Sequence, residues 1–223
     1  MAQSREMQYE LGARKFKIGA KQMIAIIDYG AGNIQSVVKA LNFIGAETIV
    51  THDASELMKA DAAILPGVGA FGDAMKTLRK RGLEEPIKAF IESDKPFLGI
   101  CLGLQILFES SEESPGVDGL GILKGKILKI PAAEGIKIPH IGWNSLNISN
   151  DAGLFAGIEN NAYVYFVHSY YLKSEENIVT SITEYGVDIH ASVQRKKLYA
   201  CQFHPEKSGE IGIKMLENFV KSI

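Results

Sequence analysis

The chain has 223 residues, 46% of them hydrophobic, and a formal net charge of -2. This length and composition are typical of a single soluble domain with a sizeable core. No stretch approaches the roughly 20 consecutive apolar residues of a membrane-spanning helix, and the charge gives no reason to expect a nucleic-acid partner. Two cysteines far apart in sequence, Cys101 and Cys201, do not form a disulfide framework, which favours a reducing cytoplasmic location.

The amino-terminal segment differs from the rest of the chain in charge. Residues 1–22 contain five basic and two acidic residues, a net charge of +3, with little periodicity and no apolar core of the kind that a secretory signal needs. We therefore expect residues 1–22 to be an extension or tag outside the domain, and residues 23–223 to form one domain.

From Met23 onward, strand and helix patterns alternate. The strand patterns are MIAIID, AETIVT, DAAILPGVG and PFLGIC, and the helix patterns are NIQSVVKALNFIG, GDAMKTLRKRG, EEPIKAFIESD and the residues from Leu102 to Phe108. Near-continuous apolar strands that alternate with helices predict a parallel sheet covered on both faces.

After Gly116 the strand patterns become shorter. They are GKILKI, KIPHIGW, AYVYFVHSYY, NIVTSIT, VDIHASVQ and LYACQFH. Several can pair as antiparallel hairpins, so we expect them to extend the first sheet. The last segment, SGEIGIKMLENFVKSI, predicts an amphipathic helix with Ser208 as its N-cap. The predicted fold is therefore α/β: a flavodoxin-like, doubly wound, mostly parallel sheet with an antiparallel extension in the carboxyl-terminal half.

Cys101 lies between two glycines where a strand pattern turns into a helix pattern. The sequence Gly99-Ile100-Cys101-Leu102-Gly103 is a cysteine counterpart of the nucleophile elbow of serine hydrolases. Flanking glycines permit a tight turn that exposes the thiol, the following helix favours the thiolate, and the Leu102 N–H becomes an oxyanion donor. The alternative for a lone cysteine is burial in the core, which is the role that we expect for Cys201.

A base for this thiol is predicted in the segment CQFHPEKS. In an extended backbone, His204 and Glu206 share a face, so the carboxylate can orient the imidazole toward the thiol. The predicted catalytic residues are therefore Cys101, His204 and Glu206. The alternative for His204 is a hydrogen-bonded histidine at a strand end.

The loop Pro66-Gly67-Val68-Gly69 follows a predicted strand that ends at the same edge of the sheet. Its glycines allow backbone amides to approach a substrate closely, so it is the predicted source of a second oxyanion donor, at Val68. A phosphate-binding role is the alternative, but the loop lacks the G-x-G-x-x-G and G-K-[ST] patterns.

With these segments in hand, the sequence resembles the class I (triad) glutamine amidotransferases, on the motifs GICLGLQ and HPE. More narrowly, it is similar to the glutaminase subunits of imidazole glycerol phosphate synthase, an enzyme of histidine biosynthesis. The residues behind this likeness are IIDYGAGNIQSV, PGVGAFGDAM, PHIGWN and YFVHSYY. The resemblance runs from Met23 to the end of the chain.

The resemblance implies that the thiol attacks glutamine, that ammonia and glutamate are released, and that no cofactor or metal takes part. It implies glutamine-binding positions at Gly69, Leu102, Gln105, Glu113, Ser169 and Tyr170. It also implies a heterodimer with a (β/α)8-barrel cyclase subunit that uses the ammonia to make imidazole glycerol phosphate and an aminoimidazole carboxamide ribotide. Nucleic acid and membrane are not among the expected partners.

Interface residues follow from the resemblance as well. They are Asp28, Asn33, Trp143, Tyr165 and Lys207. Trp143 lies in a predicted turn bounded by proline and glycine, and its alternative role is a half-buried anchor of that turn. For the charged residues the alternative is solvated surface. Two other functions stay open: the glutaminase subunit of pyridoxal phosphate synthase, and a flavodoxin-like binding module without activity.

Overall fold

The computed structural model describes residues 22–30, 33–149 and 151–223. Except for Gln22, the predicted extension at residues 1–22 lies outside the described residues. Within the described ranges, no helix combines the length and the hydropathy that crossing a bilayer requires.

The strands are β1 (Met23–Ile27), β2 (Glu47–Thr51), β3 (Ala62–Gly67), β4 (Phe97–Cys101), β5 (Ser110–Ser111), β6 (Gly125–Lys129), β7 (His140–Ser145), β8 (Asn147–Ile148), β9 (Tyr163–His168), β10 (Tyr170–Ser174), β11 (Val179–Glu184), β12 (Asp188–Arg195) and β13 (Leu198–Cys201). The α-helices are α1 (Ile34–Phe43), α2 (Ala54–Lys59), α3 (Phe71–Lys80), α4 (Glu84–Glu92), α5 (Leu102–Gln105) and α6 (Gly209–Lys221). Two 3-10 turns span Gly153–Phe155 and Pro205–Lys207.

An eight-stranded sheet in the order β2-β1-β3-β4-β13-β12-β11-β8 forms the centre of the molecule. Neighbours are parallel from β2 to β13 and antiparallel from β13 to β8. The predicted fold class, a mostly parallel α/β sheet with an antiparallel extension, is therefore confirmed. The arrangement brings the carboxyl ends of β3 and β4 to one edge, next to the end of β13.

Both faces of this sheet are covered because alternate strand residues point to opposite sides. On one face, strand residues such as Ile27 pack with Leu78 of α3 and Phe90 of α4. On the other, residues such as Ile26 pack with Leu41 of α1 and Phe219 of α6. The alternation of apolar strands with amphipathic helices thus predicted the layers correctly.

Part of the predicted extension does not join the main sheet. Strands β10, β6 and β5 form a sheet of their own, and β7 pairs with β9 in a two-stranded ribbon. The predicted extension of the first sheet therefore includes β8, β11, β12 and β13 but not these segments. The reason is that the ribbon packs face-on over the core rather than edge-on: Phe166 of β9 is fully buried, with its ring 5.9 Å from that of Phe203.

Three helices differ from what the sequence predicted. The helix after Cys101 spans only Leu102–Gln105 and does not reach Phe108, so it has little macrodipole to act on the thiol. Helix α2 was not predicted, although Asp53 Oδ1 accepts hydrogen bonds from the first amides of that helix. Ser208 occupies the N-cap position of α6, but its hydroxyl donates to the His204 carbonyl at 2.6 Å and makes no cap hydrogen bond.

Candidate active site

Cys101 is the last residue of β4 and lies in a strained turn. Its φ of 55° and ψ of -108° are rarely adopted by residues other than glycine. A Cβ atom at Gly103 would lie 1.8 Å from the Leu65 carbonyl oxygen, and one at Gly99 would lie 2.8 Å from the Gly103 carbonyl oxygen. The two glycines are therefore required by close backbone packing, as the elbow motif predicted. The prediction that the turn exposes the thiol was wrong, because Cys101 is buried and only 6% exposed.

His204 and Glu206 lie just beyond β13, the strand next to β4. His204 Nδ1 and Glu206 Oε1 are 2.8 Å apart, and their side chains are 3% and 1% exposed. Burial lowers the pKa of His204, but Cys101 and Glu206 outweigh it and raise that pKa to about 9. The imidazole is thus held in its charged form between the thiol and the carboxylate.

The imidazole and the thiol border the same pocket. His204 Nε2 is buried and makes no hydrogen bond of ordinary geometry within the described ranges. Cys101 is nevertheless one of the two residues that raise the His204 pKa, and catalytic hydrogen bonds are commonly long in free enzymes. The three predicted catalytic side chains therefore meet at one edge of the sheet.

The backbone that joins His204 to Glu206 differs from the prediction. We expected an extended segment, but Pro205–Lys207 forms a 3-10 turn. Proline favours such a turn because its fixed φ fits the first helical position. The turn still brings Glu206 back to the His204 ring, so the predicted pairing of their side chains holds while the predicted backbone does not.

A pocket of about 420 Å³ opens beside the thiol. Among the residues that line it are Val68, Gly69, Cys101, Leu102, Gln105, Glu113, Ser169, Tyr170 and His204. The glutamine-binding positions implied by the resemblance and the two predicted oxyanion donors thus border one pocket, together with the thiol and the imidazole. Their roles toward glutamine stay predictions.

Two of these residues also have structural partners. Gln105 Nε2 donates to the Tyr170 carbonyl at 3.1 Å and to Gln202 Oε1 at 3.0 Å. Glu113 Oε2 accepts a hydrogen bond from the Phe71 amide at 2.7 Å, at the start of α3. Gln105 and Glu113 therefore shape the pocket as well as line it.

The predicted interface residues fall into two groups. Trp143 lies in strand β7 rather than in a turn, opposite Tyr165 of β9, with their rings 6.2 Å apart. Lys207 Nζ is 5.8 Å from the centre of the Tyr165 ring, so these three residues form one surface. Trp143 is 54% exposed, and because it lies in a strand the alternative of a turn anchor is wrong.

Asp28 and Asn33 form the second group: Asp28 lies beside Arg81 at the end of α3, and Asn33 precedes α1. Asp28 accepts a hydrogen bond from the Gly30 amide at 2.8 Å and lies 3.7 Å from Arg81 Nη1. Asn33 occupies the N-cap position of α1 but makes no side-chain cap hydrogen bond. Asp28 thus has a structural role within its own loop, and Asn33 lies at a helix start. The interface role of both residues stays a prediction.

Three polar residues around the site were not predicted from the sequence. Gln202 is fully buried behind the thiol, and His140 and His168 form a pair under the β7–β9 ribbon, with His140 Nδ1 3.1 Å from His168 Nε2. The period-two argument that related His204 to Glu206 also reaches back to Gln202 and could have found it. Nothing in the local pattern of the two histidines signals their pairing.

No group of three or more histidine, cysteine or acidic side chains suited to a metal ion occurs in the part of the chain that the structure describes. The groups present at the site are a thiol, an imidazole, a carboxylate and backbone amides, the combination used for attack on an acyl carbon.

Comparison with known proteins agrees with this reading of the site. The family model of the class-I glutamine amidotransferases matches residues 25–223. The chain therefore belongs to the class-I glutamine amidotransferase family.

Its relatives and structural neighbours are consistent with this. The imidazole glycerol phosphate synthase subunit HisH of Caldanaerobacter subterraneus subsp. tengcongensis is 52% identical over 202 residues, which cover 90% of this chain and 98% of that protein. The HisH subunit of Methanothermobacter thermautotrophicus is 51% identical, with coverage of 90% and 99%. PurLQS from Thermotoga maritima has a similar fold, with a TM-score of 0.72, 22% identity and coverage of 91% and 99%.

Proposed function

We propose that this chain is the glutaminase subunit of an imidazole glycerol phosphate synthase and acts in histidine biosynthesis. It hydrolyses glutamine to glutamate and ammonia and supplies the ammonia to a second subunit. The observation that carries the glutaminase activity is the meeting of Cys101, in its strained turn, with the buried His204–Glu206 pair beside a pocket. The assignment to this particular synthase rests on relatives that are about half identical and matched over nearly their whole length.

Acylation begins with the side-chain amide of glutamine in the pocket. The Cys101 sulfur attacks the amide carbon, and the carbonyl oxygen gains negative charge. The amides of Leu102, directly after the nucleophile, and of Val68, in the neighbouring loop, are the donors for this oxyanion. His204, held protonated by its neighbours, gives its proton to the departing nitrogen. Ammonia leaves, and a glutamyl thioester remains on Cys101.

Deacylation reverses the roles. The neutral His204 removes a proton from water, which attacks the thioester carbon, and the same two amides stabilise the second oxyanion. Sulfur leaves as thiolate and glutamate is released. Glu206 forms no covalent bond; it fixes the His204 ring through Nδ1 and stabilises the imidazolium.

The ammonia acceptor is a (β/α)8-barrel cyclase subunit, which docks as a heterodimer partner on the outer face of the β7–β9 ribbon. This docking face consists of Ile141, Trp143, Tyr163 and Tyr165 with Lys207 beside them; the first three are 60%, 54% and 59% exposed. Exposed aromatic side chains next to a pocket are typical of interface centres. Lys207 also lines the active-site pocket, so the face adjoins the place where ammonia is released.

The test measures glutamate release by the purified chain alone, with the barrel cyclase subunit, and with that subunit plus its ribonucleotide ligand. We expect a stable complex and the highest rate in the third arm. If no arm releases glutamate, the glutaminase assignment is wrong. If glutamate is released but the cyclase subunit neither binds nor alters the rate, the activity stands and the assignment to this synthase fails.

A further inference from the structure

A buried amide that does not line the pocket contacts the nucleophile. Gln202 follows β13, its side chain is fully buried, and its Nε2 lies 3.6 Å from Cys101 Sγ. Its backbone N–H donates to the Ala191 carbonyl at 2.8 Å, which fixes the residue to the sheet. Gln202 does not line the pocket, so it can act on the sulfur without touching glutamine.

The hydrogen bonds around Gln202 determine which end of its amide faces the sulfur. The Tyr170 carbonyl can only accept hydrogen bonds, so the end of Gln105 that faces it, at 3.1 Å, is the donor Nε2. The same Nε2 lies 3.0 Å from Gln202 Oε1, which accepts. Because that acceptor is engaged, the remaining end of the Gln202 amide, the donor Nε2, points at Cys101.

The Tyr170 carbonyl is itself held by a second donor. His168 Nδ1 lies 2.9 Å from it and must carry the hydrogen, which leaves His168 Nε2 to accept from His140 Nδ1 at 3.1 Å. Burial lowers the pKa of His168 to about 3 and that of His140 to about 4, so both rings are neutral, as this pattern requires. The direction of each hydrogen bond is thus assigned, and Gln202 Nε2 is left as the donor to the sulfur.

We propose that Gln202 is a further catalytic residue, whose buried N–H donates to the Cys101 sulfur and stabilises its negative charge. A donor to an anion is strengthened in a site from which water is excluded. The N–H favours thiolate before attack, is released when the sulfur bonds to carbon, and stabilises the thiolate again when it leaves the thioester. Gln202 gains and loses no proton or covalent bond. This inference rests on the proposed glutaminase function.

The test uses the pH dependence of thiol alkylation, which needs neither glutamine nor a partner. In a Cys201→Ala background, Cys101 is the sole thiol, and its alkylation by iodoacetamide reports the thiolate. Gln202→Met removes the donor without adding charge, and Gln202→Glu replaces the donor by an acid while keeping the acceptor for Gln105. Loss of a hydrogen bond to a charged group moves the pH midpoint of its ionisation by about one pH unit or more.

We expect the midpoint of alkylation to rise by about one pH unit in Gln202→Met and by more in Gln202→Glu. In the complex with the cyclase subunit, kcat for glutamate release at pH 7 should fall about tenfold in Gln202→Met, with KM for glutamine nearly unchanged. The matched control is Gln194→Glu on β12, where the amide donates to the Lys196 carbonyl at 3.1 Å. This control should change neither quantity.

Folded variants whose midpoint and kcat equal those of the unsubstituted chain would overturn the proposal and reduce Gln202 to a packing residue. If Gln202→Met does not fold, Gln202→Glu decides by the same two readouts, because it preserves the shape of the side chain. Failure of the proposed function would look different: the unsubstituted complex would release no glutamate, while the alkylation midpoint would still respond to Gln202.

Discussion

His204 Nδ1 and Glu206 Oε1 are 2.8 Å apart across a 3-10 turn that begins at Pro205, and both side chains are almost completely shielded from water. A hydrogen bond so well shielded fixes the plane of the imidazole ring. The other ring nitrogen, Nε2, is thereby left for the thiol, and the order of roles in the triad follows from this one pairing.

Replacing Cys101 by alanine should lower the rate of glutamine hydrolysis by several orders of magnitude, because no other side chain can form the thioester. Binding of the cyclase subunit and the melting temperature should stay near the unsubstituted values. The matched control is Cys201→Ala: that thiol is fully buried in β13, and burial raises its pKa. The control should keep nearly full kcat at a modest cost in stability, and substantial glutamate release by Cys101→Ala would sink the triad assignment.

Glu206→Gln should move the alkaline limb of the kcat profile to lower pH. In the unsubstituted protein the pKa of His204 is raised to about 9, and Glu206 is one of its two causes. Without the carboxylate, burial counts for more and the ring loses its proton earlier as the pH rises. We expect kcat at pH 7 to fall about 10- to 100-fold, less than the roughly 10²–10⁴-fold loss for His204→Ala. Equal losses in the two variants would contradict the separate roles assigned to them.

The His140–His168 pair predicts a loss of stability in acid. Burial lowers the pKa of both rings from 6.5, to about 4 for His140 and about 3 for His168. Below pH 6.5 the unfolded chain therefore binds protons that these two rings do not bind in the folded chain. The contribution of the pair to stability is full above that pH and falls as the pH drops toward 4. Each ring contributes about 1.4 kcal/mol per pH unit in this window. Urea unfolding between pH 7 and 4 measures the slope.

His140→Phe is the diagnostic variant for this pair, because the ring is stacked between Phe166 and Tyr185 and an apolar ring fits there. This variant should reduce the slope of the unfolding free energy against pH by the amount that corresponds to about one bound proton. An unaltered slope would show that His140 takes no part in the acid transition.

Gly103→Ala should destabilise the domain strongly. The new Cβ would lie 1.8 Å from the Leu65 carbonyl oxygen, so the backbone of β3 or of the elbow must move. We expect a loss of about 3 kcal/mol or more in the free energy of unfolding. Gly82→Ala is the control: it has a φ of +67° but nothing within 4 Å of the added atom, so only the backbone conformation costs energy, about 1–2 kcal/mol. Denaturant titration of both variants checks the difference, which should vanish if the elbow is loosely packed.

Trp143→Ala should weaken binding of the cyclase subunit about 30-fold or more, the effect of removing a central aromatic from an interface. Glutamate release by the chain alone should be unchanged, because Trp143 does not line the pocket. Phe43→Ala supplies the comparison: that ring is 64% exposed at the end of α1, at the opposite edge of the sheet. Titration of each variant against the cyclase subunit gives both affinities, and equal effects would remove the docking face from the proposal.

The local sequence determines much of the fold and of the active site of this protein. The glycines on either side of Cys101 encode the elbow because their reason is steric and lies within a few residues: a Cβ atom at either one would meet backbone. The alternation of apolar strands and amphipathic helices likewise encodes the covered parallel sheet, because the periodicity of each element states which face it buries. Cys101, His204 and Glu206 could therefore be proposed together before their distances were known.

Tertiary packing decided the rest. The contact of Gln202 with Cys101 joins residues 101 positions apart, and its contact with Gln105 joins residues 97 apart. Short strands such as β7 and β9 carry little information about which sheet they join, so Trp143 was predicted in a turn and lies instead in a ribbon opposite Tyr165. Such pairings depend on how separate elements pack against one core, and the energy of that packing is shared among residues that no local pattern relates.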